Sequence, residues 1–212
     1  MNLVLIVLIG INVLVSLKGF SDSSFFRKYE FHLGSIKAGE QIRMLTSGFL
    51  HVDITHLAFN MLTLYFFAPV VISDFGSNYF LVIYFGSLLA GSLLTFYIHK
   101  DEYYYRAVGA SGAVTGIIYS FVLMHPDKNL YLYFALPIPA YIFGIGYLLY
   151  SIYGMKSRTD NIGHTAHFGG AIGGYLVTLL KEPQMIYTNT KMVVLLLIPI
   201  IILFYMQKKN KL

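Results

Sequence analysis

Gly109-Ala110-Ser111-Gly112 sets a serine between small residues near the start of an uncharged run that extends from Ala107 to Pro126. A serine hydroxyl is a weak nucleophile until a neighbouring base takes its proton, so this stretch carries chemistry only if a histidine can reach it. His167, in Ala166-His167-Phe168-Gly169-Gly170, is the candidate, and it too stands near the start of an uncharged run. The length of such runs decides the fold.

Charged residues delimit seven of them: Met1 to Leu17, Ile54 to Ser73, Phe75 to His99, Ala107 to Pro126, Asn129 to Met155, Asn161 to Leu180 and Met192 to Gln207. Each is near the ~20 residues that cross a hydrocarbon core as a helix. In lipid every backbone polar group must be paired within a helix or a closed barrel, and the alternation of barrel strands is missing. With 57% hydrophobic and 12% charged residues among 212, and a mean hydropathy of +0.65, the expectation is an all-α fold: a polytopic membrane helical bundle. One domain is expected over residues 1–212, with a six-helix core to about residue 181 and an additional C-terminal transmembrane helix at about 192–207. The first run has no basic n-region and no small-residue cleavage site, so it reads as a span and not as a signal peptide.

The absence of cysteine removes disulfides and Cys-based metal sites. The net charge of +5 belongs to membrane flanks, and no nucleic-acid signature is present. Between Lys18 and Asp53, aromatic residues interleave with charges in a segment too long for a turn, as expected of a loop resting on the bilayer surface. The run from Ile54 carries His56 and Asn60, four apart and hence on one helical face. Gly86, Ser87, Gly91 and Ser92 in the third run read as packing. Tyr103, Tyr104 and Tyr105 read as interfacial anchors. The fifth run, with Pro137 and Pro139, is expected to be kinked or irregular and shows no obvious reactive group. Gly109, Gly112 and Gly116 in the fourth run, and Gly170 and Gly174 in the sixth, lack the side chains that would hold two helices apart, so these runs should pack together.

If seven spans alternate in direction, the second, fourth and sixth run the same way, and His56, Ser111 and His167 gather at one end. Counted from Arg106 and Asp160, Ser111 and His167 each lie about 10 Å into a span. Polar groups inside a membrane cost free energy unless paired or facing water, and their clustering at one level argues for a site. The roles follow from the chemistry of acyl transfer. Ser111 attacks a carbonyl, and His167 takes its proton and later protonates the leaving amine. His56, Asn60 and the Ser111 amide at a helix start serve the oxyanion. No Asp or Glu lies inside a span to complete a triad.

The set resembles the rhomboid family of intramembrane serine proteases: Gly-x-Ser-Gly opening the fourth span, Ala-His-x-x-Gly-x-x-x-Gly in the sixth and His-x-x-x-Asn in the second. The resemblance runs from about Ile42 to Leu180. It implies a Ser111–His167 catalytic dyad, an oxyanion site at His56 and Asn60, and no cofactor. It also implies membrane protein substrates whose transmembrane segments unwind at helix-breaking residues, and the cell membrane of a bacterium. Ile42-Arg43 stands where the family often has Trp-Arg. Thr115 stands where an aromatic residue often stacks on the catalytic histidine. The alternatives are a catalytically silent relative that binds transmembrane segments, and a transporter, which would ordinarily show an intramembrane acid. A metal at His164 and His167 has no carboxylate to complete it. His51 and His164 read as structural, and His32, His99 and His125 carry no assigned role.

Charge and resemblance point in opposite directions for the membrane orientation. Twelve cations, among them Arg158 and Lys211, flank the side bearing Ser111, against Lys128, Lys181 and Lys191 opposite. The positive-inside rule would turn the site to the cytoplasm. The resemblance opens it outward. Five of the twelve belong to the first loop and its flank, where snorkelling blurs the count, so outward is the expectation.

Overall fold

The computed structural model describes residues 2–132, 135–157 and 162–209. The chain begins with α1 (Leu3–Ser21), whose first turn is capped by the Asn2 side chain at the Val4 amide. The segment that follows is folded, not a plain loop: α2 (Ser23–Tyr29), β1 (Phe31–His32), α3 (Leu33–Lys37), α4 (Arg43–Thr46) and a 3-10 turn at Ser47–Phe49. It is held from inside by Arg43, buried to 8% exposure. Its guanidinium donates to the carbonyls of Arg27 (2.7 Å) and Glu30 (3.1 Å) and pairs with Glu40. A buried guanidinium survives because its fork of donors is filled. His32 caps α3 through the Ser35 amide. Burial, and after it the nearby Arg106, hold the His32 imidazole below the ordinary histidine value and so keep it neutral for that bond.

The 45-residue α5 (Ile54–Ile98) is two helices meeting at Gly76, where φ is +78°. Glycine is needed there because other residues seldom adopt that backbone. Asp53 caps the first half at the His56 amide. β2 (Arg106–Ala107) returns to pair with β1, and α6 (Ser111–Met124) follows. Between α6 and α7 the fifth uncharged run departs from a single span. Asn129–Leu132 and Leu136–Pro139 form an antiparallel hairpin, β3 and β4, and only then does α7 (Ala140–Ser157) begin. Pro137 and Pro139 remove amide donors and favour extended backbone, which explains the hairpin. The chain ends with α8 (His164–Lys181), the short α9 (Met185–Thr188) and α10 (Thr190–Lys208). Arg158, Asp160, Asn161, Lys211 and Leu212 lie outside the described residues.

The result is a polytopic helical membrane bundle. α1, α5 and α10 are long and apolar enough to cross a bilayer. Contacts fix the directions. Asn2 bonds Ser77 at the start of the second half of α5, while Ser16, late in α1, reaches His51 just before the first half. At the end of α6, His125 pairs with Asp74 beside the Gly76 break. Tyr79 bonds the Val177 carbonyl late in α8. The N-terminal ends of α5, α6 and α8 therefore share one side.

α5, α6 and α8 pack most closely, and glycine sets the distance. A Cβ at Gly170 would fall on the Gly112 carbonyl, one at Gly174 on the Gly116 carbonyl, and one at Gly91 within 2.6 Å of the Ala166 carbonyl. Close backbone approach of this kind replaces the hydrophobic driving force that lipid does not supply. α10 lies against α7, where Leu196 approaches Gly144, and Tyr119 of α6 bonds the Gly144 carbonyl from the other side.

Candidate active site

α6 is only 14 residues long, about 21 Å, so it does not reach across a ~30 Å hydrocarbon core. Its first residue is Ser111. The serine thus stands at a helix start, not partway along a helix begun at Arg106. The chain leaves β2 at Ala107, turns at Gly109 with φ of +129° and enters the helix through Ala110, whose backbone is already helical. The first intrahelical bond is from Val114 to Ala110, so the amides of Ser111, Gly112 and Ala113 have no helical carbonyl behind them. Anions are favoured at such an end.

The approach to Ser111 is built tightly. Gly109 has φ of +129°, and a Cβ on it would come within 2.6 Å of the His56 ring. Both the backbone and the space demand glycine. Its amide donates to the Ser47 carbonyl at 3.0 Å. Beneath, the fully buried His51 accepts from the Ala110 amide (3.4 Å) and meets Ser16 Oγ through Nδ1 (2.8 Å). Ser16 in turn donates to the Phe49 carbonyl. The nucleophile's turn is thereby tied to α1 and to the 3-10 turn.

Ser111 Oγ lies 2.7 Å from His167 Nε2. The other ring nitrogen, Nδ1, lies 2.8 Å from the hydroxyl of Tyr147 in α7, whose ring lies nearly parallel to the imidazole, 24° apart with centroids at 6.0 Å. His164 is buried one turn earlier, its ring edge-on to His167 at 6.3 Å and seated over Gly154. Thr115 Oγ1 donates back to the Ser111 carbonyl at 2.7 Å.

His56 and Asn60 face the same space. The point above Gly109 where a Cβ would stand is 2.8 Å from His56 Nε2 and 3.6 Å from Ser111 Oγ. One Asn60 amide hydrogen is engaged by the His56 carbonyl at 3.0 Å, and the other hydrogen is left for a ligand. His56 packs edge-on against His51, with ring centroids 4.9 Å apart. Ser111, His167, His56, Asn60 and Tyr147 all line one cavity of about 1090 Å³. It runs from Arg106 and Glu30, which pair with each other at one end, to the β3 hairpin strand at the other, flanked by the first half of α5 and by α7.

Structure and sequence part company at Tyr147. The fifth run showed no reactive group, yet its helix supplies the hydroxyl on His167. Four tyrosines, Tyr141, Tyr147, Tyr150 and Tyr153, share α7, and nothing in their spacing singles one out. Among the described residues no group of three His, Cys, Asp or Glu side chains is placed to hold a metal. His99 and Thr165 bond across the second half of α5 and α8, away from the cavity.

Comparison with known proteins gives a match over residues 38–184 to the rhomboid domain family. The chain is 30% identical over 181 residues to "RHOMBOID-like protein 12, mitochondrial" of Arabidopsis thaliana, an alignment covering 78% of this chain and 54% of the relative. Over 152 residues it is 31% identical to YdcA of Bacillus subtilis, whose name assigns it provisionally to the rhomboid proteases, with 71% of each chain covered. "Rhomboid protease GluP" of the same organism is 34% identical over 140 residues, 66% of this chain and 26% of that one. The chain spans about half the length of the Arabidopsis relative and a quarter of GluP.

Proposed function

The chain belongs to the rhomboid family, and from that premise we propose that it is an intramembrane serine endopeptidase, cutting a peptide bond in or beside a transmembrane segment of a membrane protein. The observation that carries this reading is the 2.7 Å contact between Ser111 Oγ and His167 Nε2 in a cavity that can hold a polypeptide segment.

The reaction is an acyl transfer in two halves. Ser111 Oγ attacks the scissile carbonyl while its proton passes to His167 Nε2. The oxygen of the tetrahedral intermediate is met by the Ser111 amide, Asn60 and His56, donors held in place before charge develops. His167 then gives its proton to the leaving amine, and water repeats the sequence on the ester. The carbonyls of a helical substrate are hydrogen-bonded, so the segment must unwind locally, and a helix-breaking residue lowers that cost. The cavity beside α6, lined from the first half of α5 and from α7, suits an unwound stretch. No metal or organic cofactor enters the scheme. The membrane is taken to be a bacterial cell membrane, which the two Bacillus relatives support.

The test is cleavage of a model transmembrane substrate by reconstituted protein. Ser111→Ala and His167→Ala are each expected to lower the rate by roughly six orders of magnitude. Cleavage that survives Ser111→Ala overturns the mechanism. A wild-type protein that binds such segments and cuts none would instead be a silent member of the family.

A further inference from the structure

The nucleophile's turn hangs from the segment before α5 by two consecutive amides. Gly109 N–H goes to the Ser47 carbonyl at 3.0 Å, and Ala110 N–H goes to His51 Nε2 at 3.4 Å. The direction of the bonds behind the second amide is fixed at both ends. An amide can only donate, so Nε2 must keep its lone pair and the His51 proton sits on Nδ1. Nδ1–H then donates to Ser16 Oγ at 2.8 Å. The Ser16 hydrogen goes on to the Phe49 carbonyl at 3.0 Å, which can only accept. His51 and Ser16 are both fully buried, so bulk solvent does not compete for these bonds. Burial above all, with the neighbouring His56 adding to it against Asp53, holds the His51 imidazole down at about 3. A protonated ring would instead set Nε2–H against the Ala110 N–H, donor facing donor.

We propose that His51 is a positioning residue that holds the Ala110 amide through Nε2, and that Ser16 of α1 keeps His51 in the tautomer able to do so. Together they aim the Ser111 amide and hydroxyl at the scissile carbonyl. This rests on the dyad reading and goes beyond it. It gives a part in the reaction to a histidine whose sequence context reads as structural, and to a helix outside the stretch matched to the family. The lever is short, because Ala110 directly precedes Ser111. Gly109, with φ of +129°, has no Cβ to restrict the peptide that joins it to Ala110. Only the hydrogen bond to His51 holds that peptide's N–H, and a tilt there displaces the Ser111 amide proposed for the oxyanion. Small displacements of this kind are costly in rate, since the donor must be in place before charge develops.

The experiment compares replacements of His51 in two ways: steady-state cleavage of a transmembrane substrate, and the rate at which a fluorophosphonate labels Ser111. Ser111→Ala is the reference in both, and thermal unfolding of each variant checks that the fold is kept. His51→Gln sets an amide where Nε2 stood, able to accept from Ala110. His51→Asn keeps a polar group only at the place of Nδ1, within reach of Ser16, and His51→Leu keeps neither. The Asn and Leu variants are each expected to lower kcat and the labelling rate about tenfold with KM unchanged, a loss of the size of one hydrogen bond. The Gln variant restores most of both rates. Ser16→Ala is expected to lower kcat beside His51 but not beside His51→Gln, whose amide has no tautomer to be set. An Asn variant as fast as the Gln variant overturns the proposal, as do losses that follow unfolding temperature and not reach to Ala110. A Ser16→Ala effect that is absent, or equal in both backgrounds, overturns the part given to α1. Labelling or cleavage that persists in Ser111→Ala overturns the dyad itself, which separates the two failures.

Discussion

Gly109 shows how much of the active-site geometry rests on one missing side chain. Its φ of +129° is a conformation other residues rarely adopt, and the His56 ring fills the space a Cβ would need. Gly109→Ala is expected to destabilise the protein by about 1–3 kcal/mol and to displace His56 from its proposed place beside the oxyanion. Unfolding temperature and kcat should therefore fall together. Asn60 is different, since its bond to the His56 carbonyl is local and its remaining hydrogen is, on the proposed mechanism, needed only when charge develops. Asn60→Ala is expected to lower kcat by about 10²–10³-fold, with KM and unfolding temperature nearly unchanged. A parallel fall in thermal stability would mean that Asn60 serves the helix and not the transition state.

Between elements, the contact that decides the geometry is α6 against α8. Gly170 and Gly174 lie on the carbonyls of Gly112 and Gly116, and this approach brings His167 to Ser111. Gly170→Ala must push the helices apart, at a cost of roughly 1–3 kcal/mol, and the dyad distance grows with it. The expected result is lost fluorophosphonate labelling with the helical circular dichroism kept. Labelling at the wild-type rate would mean that the helices are spaced by something else. This pairing was legible in the sequence because the small residues repeat at helical spacing in two spans, and the charges at Asp74 and Lys100 marked the ends of the second half of α5. Other parts were not legible. The hairpin at residues 129–139 is as apolar as a span, so only its prolines hinted at extended chain. The start of α6 was not legible either: the helix begins at Ser111 itself and not at the charge boundary of Arg106. Tyr147 was invisible because its role depends on which face of α7 meets α8, a property of packing that the pattern of α7 alone does not contain.

For the whole molecule the open property is orientation. α1 ends on the same side as the N-terminal ends of α5, α6 and α8, as the contact of Ser16 with His51 requires, and α10, which follows the far end of α8, returns to that side. A reporter fused after Leu212 therefore reads the compartment into which the active site opens. Several of the cations on this side are occupied within the fold. Arg43 is buried among carbonyls, Arg106 is bonded to Glu30, Lys18 pairs with Asp22 at 3.0 Å and Lys37 bonds the Lys100 carbonyl. Those in the segment from Lys18 to Arg43 also belong to a folded unit resting against the bundle, not to a free loop of the kind to which the positive-inside rule applies most directly. The outward orientation implied by the family is thus the expected one. A phosphatase fused after Leu212 should be active and a cytoplasmic β-galactosidase at the same position inactive. The reverse pattern would mean that the lysines at the end of α10 and those flanking α7 dominate insertion, and that substrates are cut from the cytoplasmic side.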